Sequence, residues 1–156
     1  MFCGDIETRL KDKFKWLGQT LSSGGLAESV ASTVEAREGK IRGACLEIAN
    51  IVNDWRAHIV GGMETGLLLW EACCVPSLLN GAGTWMEISK ATEKQLNKIQ
   101  CWALRLFLQV GPGTQLASLL WDSSCLDMGI RVKTQKILLV LHIRSLDDNT
   151  IENKII

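Results

Sequence analysis

Residues 89–113, SKATEKQLNKIQCWALRLFLQVGPG, hold the clearest structural pattern in the chain and decide its fold class. Apolar or small side chains recur there at steps of three and four, which predicts an amphipathic helix over 89–110. Gly111-Pro112-Gly113 should end this helix, and Thr114 is expected to cap a short following helix to about Trp121. The predicted inner face consists of Thr92, Leu96, Ile99, Ala103, Leu106 and Val110.

Two further helical patterns precede this segment. Between residues 26 and 59 apolar residues follow helical steps, which predicts one helix of more than 30 residues, with Gly39 and Gly43 as positions for a bend or a close approach. Residues 63–79 are apolar nearly all round, so they should be central, and Pro76 should kink or end their helix. The first stripe comprises Leu26, Val30, Val34, Ile41, Cys45, Ile48, Val52, Trp55 and Ile59.

A last helix is predicted from about Ile130 to Leu146. Its outward side should carry cationic side chains, and its inward side should carry aliphatic ones. The outward residues are Lys133, Lys136 and Arg144, and the inward residues are Ile130, Ile137, Leu138 and Leu141.

The N-terminal part has the alternation of a strand. Phe14 and Trp16 alternate with lysines, so residues 14–21 are predicted to form one strand in which Gly18 marks a bulge or a close approach. An earlier strand around residues 2–8 would complete a hairpin. The predicted fold is therefore mainly α, with a small N-terminal β-hairpin (residues 1–25) followed by a bundle of four or five helices (residues 26–156).

The composition limits the possible functions. Seventeen Lys and Arg residues balance seventeen Asp and Glu residues, whereas a chain that binds nucleic acid unaided usually has a basic excess. Six cysteines without Cys-x-x-Cys spacing indicate reduced thiols in an intracellular protein, cytoplasmic or nuclear. The most apolar stretch, residues 67–79, is shorter than the about 20 residues that a membrane span needs, so no membrane partner is expected.

No catalytic motif is evident in the sequence. Nucleotidyl transfer needs carboxylates that hold two metal ions about 4 Å apart, but the acidic residues here are scattered. The adjacent pair Asp147-Asp148 lies where the last helix should end, which is a usual place for solvated charge. The sequence also lacks the motifs of serine hydrolases, phosphate-binding loops and zinc proteases.

Three segments together resemble non-LTR (LINE-type) retrotransposon reverse transcriptases. Phe14-Lys-Trp-Leu-Gly18 is similar to the Phe-x-Tyr/Trp-Leu-Gly motif after the catalytic strands of the palm. Leu78-Leu-Asn-Gly-Ala-Gly-Thr-Trp85 is similar to the family's Leu-x-Tyr-Gly-x-Glu-x-Trp motif, and Lys98-Ile-Gln-Cys-Trp-Ala-Leu-Arg105 to its Lys-Ile-Gln-x-x-x-Leu-Arg helix. Their order agrees with that family, and so does Leu119-Leu-Trp121 followed by Met128-Gly-Ile-Arg131.

The resemblance implies a thumb-like region that contacts the RNA–DNA template–primer duplex. The Tyr-x-Asp-Asp strand should lie upstream of Phe14, so the chain is expected to be a fragment that lacks the palm domain and needs no cofactor, whereas the parent polymerase would use Mg²⁺. The chain alone is expected to be inactive. The implied primer contacts are Trp16, Leu17 and Gly18; candidate contacts to the nucleic-acid backbone are Lys13, Lys15, Arg37, Lys40 and Arg42, with Lys11 before them.

Two departures and two alternatives accompany the resemblance. Asn80 stands where the family usually has Tyr, and Gly83 where it usually has an acidic residue. A non-enzymatic helical protein-interaction module and an inactive retroelement relic are the alternatives to a duplex-binding polymerase fragment. A further cationic set, for which a solvated face is favoured over phosphate contacts, consists of Lys90, Lys94, Lys98 and Arg105.

Overall fold

The computed structural model describes residues 12–16, 18–56, 62–85 and 87–145, with the backbone alone at 14, 16 and 53–56. The predicted mainly-α fold with a small N-terminal hairpin is confirmed. The elements are β1 (Lys13–Trp16), β2 (Gln19–Ser22), α1 (Leu26–Arg56), α2 (Gly62–Leu69), a π-helical segment (Trp70–Cys74), α3 (Val75–Leu78), a 3-10 turn (Ala82–Thr84), α4 (Lys90–Leu108), α5 (Leu116–Ser123) and α6 (Met128–Ser145).

The hairpin is shorter than the sequence predicted. β1 and β2 pair antiparallel, from Lys13 opposite Ser22 to Trp16 opposite Gln19. The prediction of one strand over 14–21 is therefore wrong, because the chain reverses inside it. Gly18 has a φ of +78°, a left-handed conformation that favours glycine, so it belongs to the turn and not to a bulge. The expected partner strand at 2–8 lies outside the described residues.

Helix α1 contains 31 residues and continues through Gly39 and Gly43, as the long apolar stripe predicted. Val30, Val34, Ile41, Cys45 and Val52 are buried, whereas Leu26 is exposed because the helix begins there, beside the polar turn at 23–25. The side chains of Trp55 and Ile59 lie outside the described part of the chain.

The segment from α2 to α3 is central on one side only: Leu68 is 66% exposed and Met63 40%, so the prediction that the whole segment is central holds in part. The π-helical segment ends at Cys74, two residues before Pro76, and the Val75 N–H donates to the carbonyl of Trp70 five residues earlier. Pro76 has no N–H and cannot donate the i to i−4 hydrogen bond of an α-helix, and the wider π-helical turn before it lets the helix continue past the proline. Trp70, Leu78 and Leu79 are buried in the core.

Helix α4 lies where it was predicted and ends at Leu108, two residues earlier than expected. The Ser89 hydroxyl accepts a hydrogen bond from the Thr92 amide at 3.1 Å, and the helix ends in a left-handed Gln109. The predicted inner face holds for Thr92, Leu96, Ile99 and Ala103 and is wrong for Val110, which is exposed beyond the helix end. Further buried residues of α4 are Gln100, Leu104 and Phe107.

Helix α5 begins one residue later than predicted. Gln115 and not Thr114 precedes the helix, because the Thr114 hydroxyl donates to the Gly111 carbonyl at 3.0 Å and so stabilises the turn between α4 and α5.

For helix α6 the predicted outward position holds for Lys133 and Arg144, which are exposed, but the predicted inward face is wrong. Met128, Gly129 and Val132 are buried against the bundle, and Leu139 approaches Gly83. The four residues predicted to face inward are exposed: Ile130 by 51%, Ile137 by 60%, Leu138 by 58% and Leu141 by 55%. The prediction failed because α6 carries aliphatic residues on two opposite faces, and spacing alone does not decide which face the bundle covers.

Candidate nucleic-acid interface

The hairpin is attached to α1 through the free edge of β2. The Thr20 amide donates to the Thr33 hydroxyl at 2.8 Å, and the Ser22 amide donates to the Ser29 hydroxyl at 2.8 Å. The spacing fits, since four helical residues rise about 6 Å and two strand residues rise about 6.8 Å. Two helix side chains therefore occupy backbone positions of an otherwise open sheet edge.

Arg37 joins the hairpin turn to the loop after α3. Its guanidinium donates to the Gly18 carbonyl at 2.9 Å, to the Leu78 carbonyl at 2.9 Å and to the Asn80 carbonyl at 2.8 Å. The side chain is half-buried, and this burial lowers the pKa of Arg37 from its ordinary value. Arg37 thus donates to three main-chain oxygens of the fold, a structural role that the sequence did not predict.

The same loop contacts the hairpin and α6. The Gln19 amide donates to the Thr84 hydroxyl at 3.2 Å. Gly81 has a φ of +74°, and a Cβ built there would lie 2.3 Å from Gln19 Nε2. A Cβ on Gly83 would lie 3.2 Å from the main-chain oxygen of Gln135. A side chain at 83 would therefore be crowded against the backbone of α6.

Arg42 is also engaged within the fold. It pairs with Glu38 at 2.8 Å, and its guanidinium carbon lies 4.6 Å from the centre of the Trp102 ring. Glu38 additionally accepts a hydrogen bond from Gln95 at 3.0 Å, and this bond, followed by the Arg42 bond and charge, lowers the pKa of Glu38 despite partial burial. Arg42 therefore ties α1 to α4, and its charge is partly neutralised.

The lysines of the predicted interface differ in their availability. Lys13 lies 3.8 Å from Glu28, a weak and exposed ion pair. Lys15 and Lys40 are exposed, and within the described residues neither has an ion-pair partner. Of the five predicted backbone contacts, these two remain the accessible cations.

The structure describes only part of the predicted primer contact. Gly18 lies in the hairpin turn with its carbonyl bound by Arg37. Trp16 ends β1, but its side chain and the whole of Leu17 are outside the described residues.

The third motif segment, on α4, holds the chain that leads into α6. The buried Gln100 amide donates to the Leu126 carbonyl at 2.8 Å, and the nearby Asn97 side chain accepts from the Met128 amide at 3.1 Å. Arg105 donates to the Thr114 carbonyl at 2.5 Å. Lys90, Lys94 and Lys98 are exposed on the opposite face, in keeping with a solvated surface.

A cluster that the sequence did not predict holds the connection between α5 and α6 against the π-helical segment. Arg131 forms a bidentate pair with Glu71, at 2.7 Å and 2.5 Å, and its Nε donates to the Leu126 carbonyl at 3.0 Å. The Cys125 thiol donates to Glu71 at 3.1 Å, and burial followed by this contact raises the pKa of Cys125. Charge pairs sixty residues apart have no local sequence signal, so the cluster is apparent only in three dimensions.

Neither a metal cluster nor a membrane helix is found among the described residues. No three His, Cys, Asp or Glu side chains lie together there in a way that could hold a metal ion. Across the same ranges no helix is both long and apolar enough to cross a bilayer. In comparisons with known proteins, no family model, curated protein or solved structure matches this chain.

Proposed function

We propose that this chain is the part of a retroelement reverse transcriptase that follows the catalytic palm, and that it contacts the RNA–DNA template–primer duplex. The proposal begins from the sequence resemblance. The observation that supports it is the meeting of segments that carry the resemblance. Arg37 binds the carbonyls of Gly18 and Asn80, which belong to two of these segments, and Gln19 beside the first binds Thr84 in the second.

The duplex contact is assigned to the exposed lysines and not to the arginines. Lys15 on β1 and Lys40 on α1 would approach phosphates, since their ammonium groups face solvent. Arg37 and Arg42 would position the hairpin and α4 relative to α1. Contacts of this type give an affinity that depends on salt and not on sequence, because bound cations on the phosphates are released.

No chemical step is assigned to this chain. The parent polymerase would supply two Mg²⁺ ions held by carboxylates of the palm. Magnesium is accordingly proposed for the parent protein, where those carboxylates would lie.

The test is binding to a fluorescently labelled RNA–DNA hybrid duplex over a range of salt concentrations. The wild-type chain should bind with an affinity that falls steeply with salt. A Lys15→Ala/Lys40→Ala variant should weaken binding and lower the salt slope by about two, close to one released ion per lost phosphate contact.

The control variant removes the same charge elsewhere. Lys133→Ala/Arg144→Ala on α6 should leave the duplex affinity and its salt slope unchanged. Salt-independent binding, no binding, or an equal effect of the two variants would contradict the proposal.

A second candidate is a non-enzymatic protein-interaction module. The observation that favours it is the exposed aliphatic face of α6, because a contiguous apolar surface on a protein of this size indicates a binding site. Such a module would show no salt-dependent affinity for the hybrid duplex, so the same titration separates the two candidates.

A further inference from the structure

The exposed side of α6 forms a continuous aliphatic stripe, which we call the outer face of α6. Ile130, Ile137 and Leu141 recur at steps of seven and four, and Leu138 and Thr134 lie beside them, so all five share one side of the helix. The opposite side, with Met128 and Val132, is buried in the bundle. The outer face consists of Ile130, Thr134, Ile137, Leu138 and Leu141, and its four aliphatic members are all more than half exposed.

A depression borders this face and gives it shape. Leu126, Arg131, Thr134 and Gln135 line a cavity of about 210 Å³ together with Val75 and Leu79. Its wall is fixed, because Arg131 is held by both oxygens of Glu71 and by the Leu126 carbonyl. Leu138 lies one helical turn beyond Thr134 of this lining, and the volume is enough for one apolar side chain of a partner.

The charged side chains of α6 itself have one sign. Helix α6 contains Arg131, Lys133, Lys136 and Arg144 and has no Asp or Glu. Lys133 and Arg144 are eleven residues apart, so they lie above one another along the same flank of the outer face. Arg131 on the other flank is paired with Glu71, and Lys136 lies further toward the bundle and is only partly exposed. The exposed cations beside the outer face are therefore Lys133, which shares a depression with Glu93, and Arg144.

A second copy of α6 does not complement these charges. In an antiparallel pair each flank faces the same flank of its copy, so Lys133 would oppose Arg144. In a parallel pair the Lys133 flank would face Arg131 and His142. Two carboxylates near this end of α6 are already engaged: Glu71 pairs with Arg131, and Asp127 accepts hydrogen bonds from the amides of Gly129 and Ile130.

We infer that the outer face of α6 is a docking site for an acidic amphipathic α-helix of a partner protein. The partner's aliphatic stripe would cover Ile130, Ile137, Leu138 and Leu141, one of its apolar side chains would enter the cavity beside Leu138, and its carboxylates would meet Lys133 and Arg144. This is helix packing through i, i+3, i+4 and i+7 anchors, with orientation set by the flanking charges. It is independent of whether the chain binds a nucleic-acid duplex.

The experiment uses the full chain and two fluorescein-labelled helical peptides. Both peptides carry Leu at the two core positions of every heptad; one has Glu at both flanking positions, and the other has Lys. Fluorescence anisotropy should show saturable binding of the Glu peptide that weakens with salt, and binding of the Lys peptide should be about tenfold weaker or more.

Variants locate the binding. Ile137→Ser/Leu141→Ser should weaken the Glu peptide about tenfold, and Lys133→Ala/Arg144→Ala should reduce its salt dependence. The matched control is Leu46→Ser/Ile51→Ser, which removes two similarly exposed aliphatic side chains from α1 and should leave peptide binding unchanged. Since all these positions are exposed, the far-UV circular dichroism of each variant should equal that of the wild type.

Three outcomes would overturn the inference. The first is no binding of the Glu peptide, and the second is equal binding of both peptides, which would leave only unspecific apolar contact. The third is a dimer in sedimentation experiments that Ile137→Ser/Leu141→Ser dissociates, because the outer face would then belong to a second copy of this chain.

Discussion

Gly83 lies directly against Gln135 of α6, since a Cβ built on Gly83 would be only 3.2 Å from the Gln135 main-chain oxygen and 3.3 Å from the Leu139 Cβ. The oxygen is part of a helix backbone and cannot easily move aside. The absence of a side chain at 83 therefore allows the loop after α3 to pack on α6.

Gly83→Ala should destabilise the fold by about 1–3 kcal/mol, the usual cost of overpacking a tight contact. Urea denaturation followed by circular dichroism measures the change. Gly39→Ala is the control with the opposite sign: nothing lies within 4 Å of a Cβ at Gly39 in α1, so this change should stabilise by about 0.5–1 kcal/mol. Equal effects of the two substitutions would contradict the packing described here.

Arg37→Ala should destabilise the chain by about 2–3 kcal/mol, because three main-chain oxygens lose a charged donor. Arg37→Lys should restore little of this, since an ammonium group cannot reach all three acceptors with the planar geometry of a guanidinium. The measurement is the urea midpoint of each variant. Lys40→Ala, at an exposed position nearby on α1, should change stability by no more than about 0.5 kcal/mol. If Arg37→Ala changed the stability as little as Lys40→Ala, the bonds to Gly18, Leu78 and Asn80 would not contribute to stability.

Thr33→Val should loosen the hairpin from α1. The valine keeps the shape but loses the hydroxyl that accepts from the Thr20 amide and donates to the Ser29 carbonyl, at an expected cost of about 1–2 kcal/mol. Amide hydrogen exchange at Thr20 should accelerate strongly. Thr33→Ser keeps the hydroxyl and should leave this amide protected; fast exchange in that variant would show that the hydroxyl is not the cause.

Glu38 should titrate below the ordinary range for glutamate, because Gln95 and Arg42 stabilise its charged form. A lowered pKa in the folded state means that Glu38 adds stability above its unfolded pKa, and that this stability is lost as the pH falls through the folded value. The wild type should accordingly be more stable than Glu38→Gln at neutral pH, and this difference should disappear in acid.

Carbon-13 NMR of the Glu38 carboxyl measures the pKa directly. Gln95→Ala should move it back toward the ordinary value, while Lys94→Ala, one residue away and exposed, should move it less. An unchanged pKa of Glu38 in the Gln95→Ala variant would contradict the hydrogen bond between the two residues.

The sequence predicted those features that depend on local pattern. The position of α4 follows from its spacing and from Ser89, and the length of α1 from an apolar stripe that continues through two glycines. Both rest on contacts between near neighbours in sequence, which spacing records.

Features decided by distant contacts were missed. Lys13, Phe14, Lys15 and Trp16 alternate as a strand would, and nothing in that alternation shows that the chain turns back at Gly18. The outward orientation of Ile137 depends on which side of α6 the rest of the chain covers.

Arg37 and Arg42 were predicted as phosphate contacts because a cationic helix residue gives the same sequence signal whether its partner is a ligand or the protein itself. The acceptors of Arg37 are main-chain carbonyl groups, which every residue possesses, so the residue types in the sequence do not indicate where these acceptors lie. Lys15 and Lys40 remain accessible because the described part of the chain provides them with no acidic partner.

The main-chain character of the Arg37 contacts has a consequence for inherited variation. Asn80 is exposed and offers Arg37 only its carbonyl, so a mutation that changes the side chain at 80 leaves the bond in place. A substitution at 80 is therefore the kind of change that genetic drift permits. Arg37 itself has no such freedom, and among descendants of this gene it should vary far less than the residue at 80.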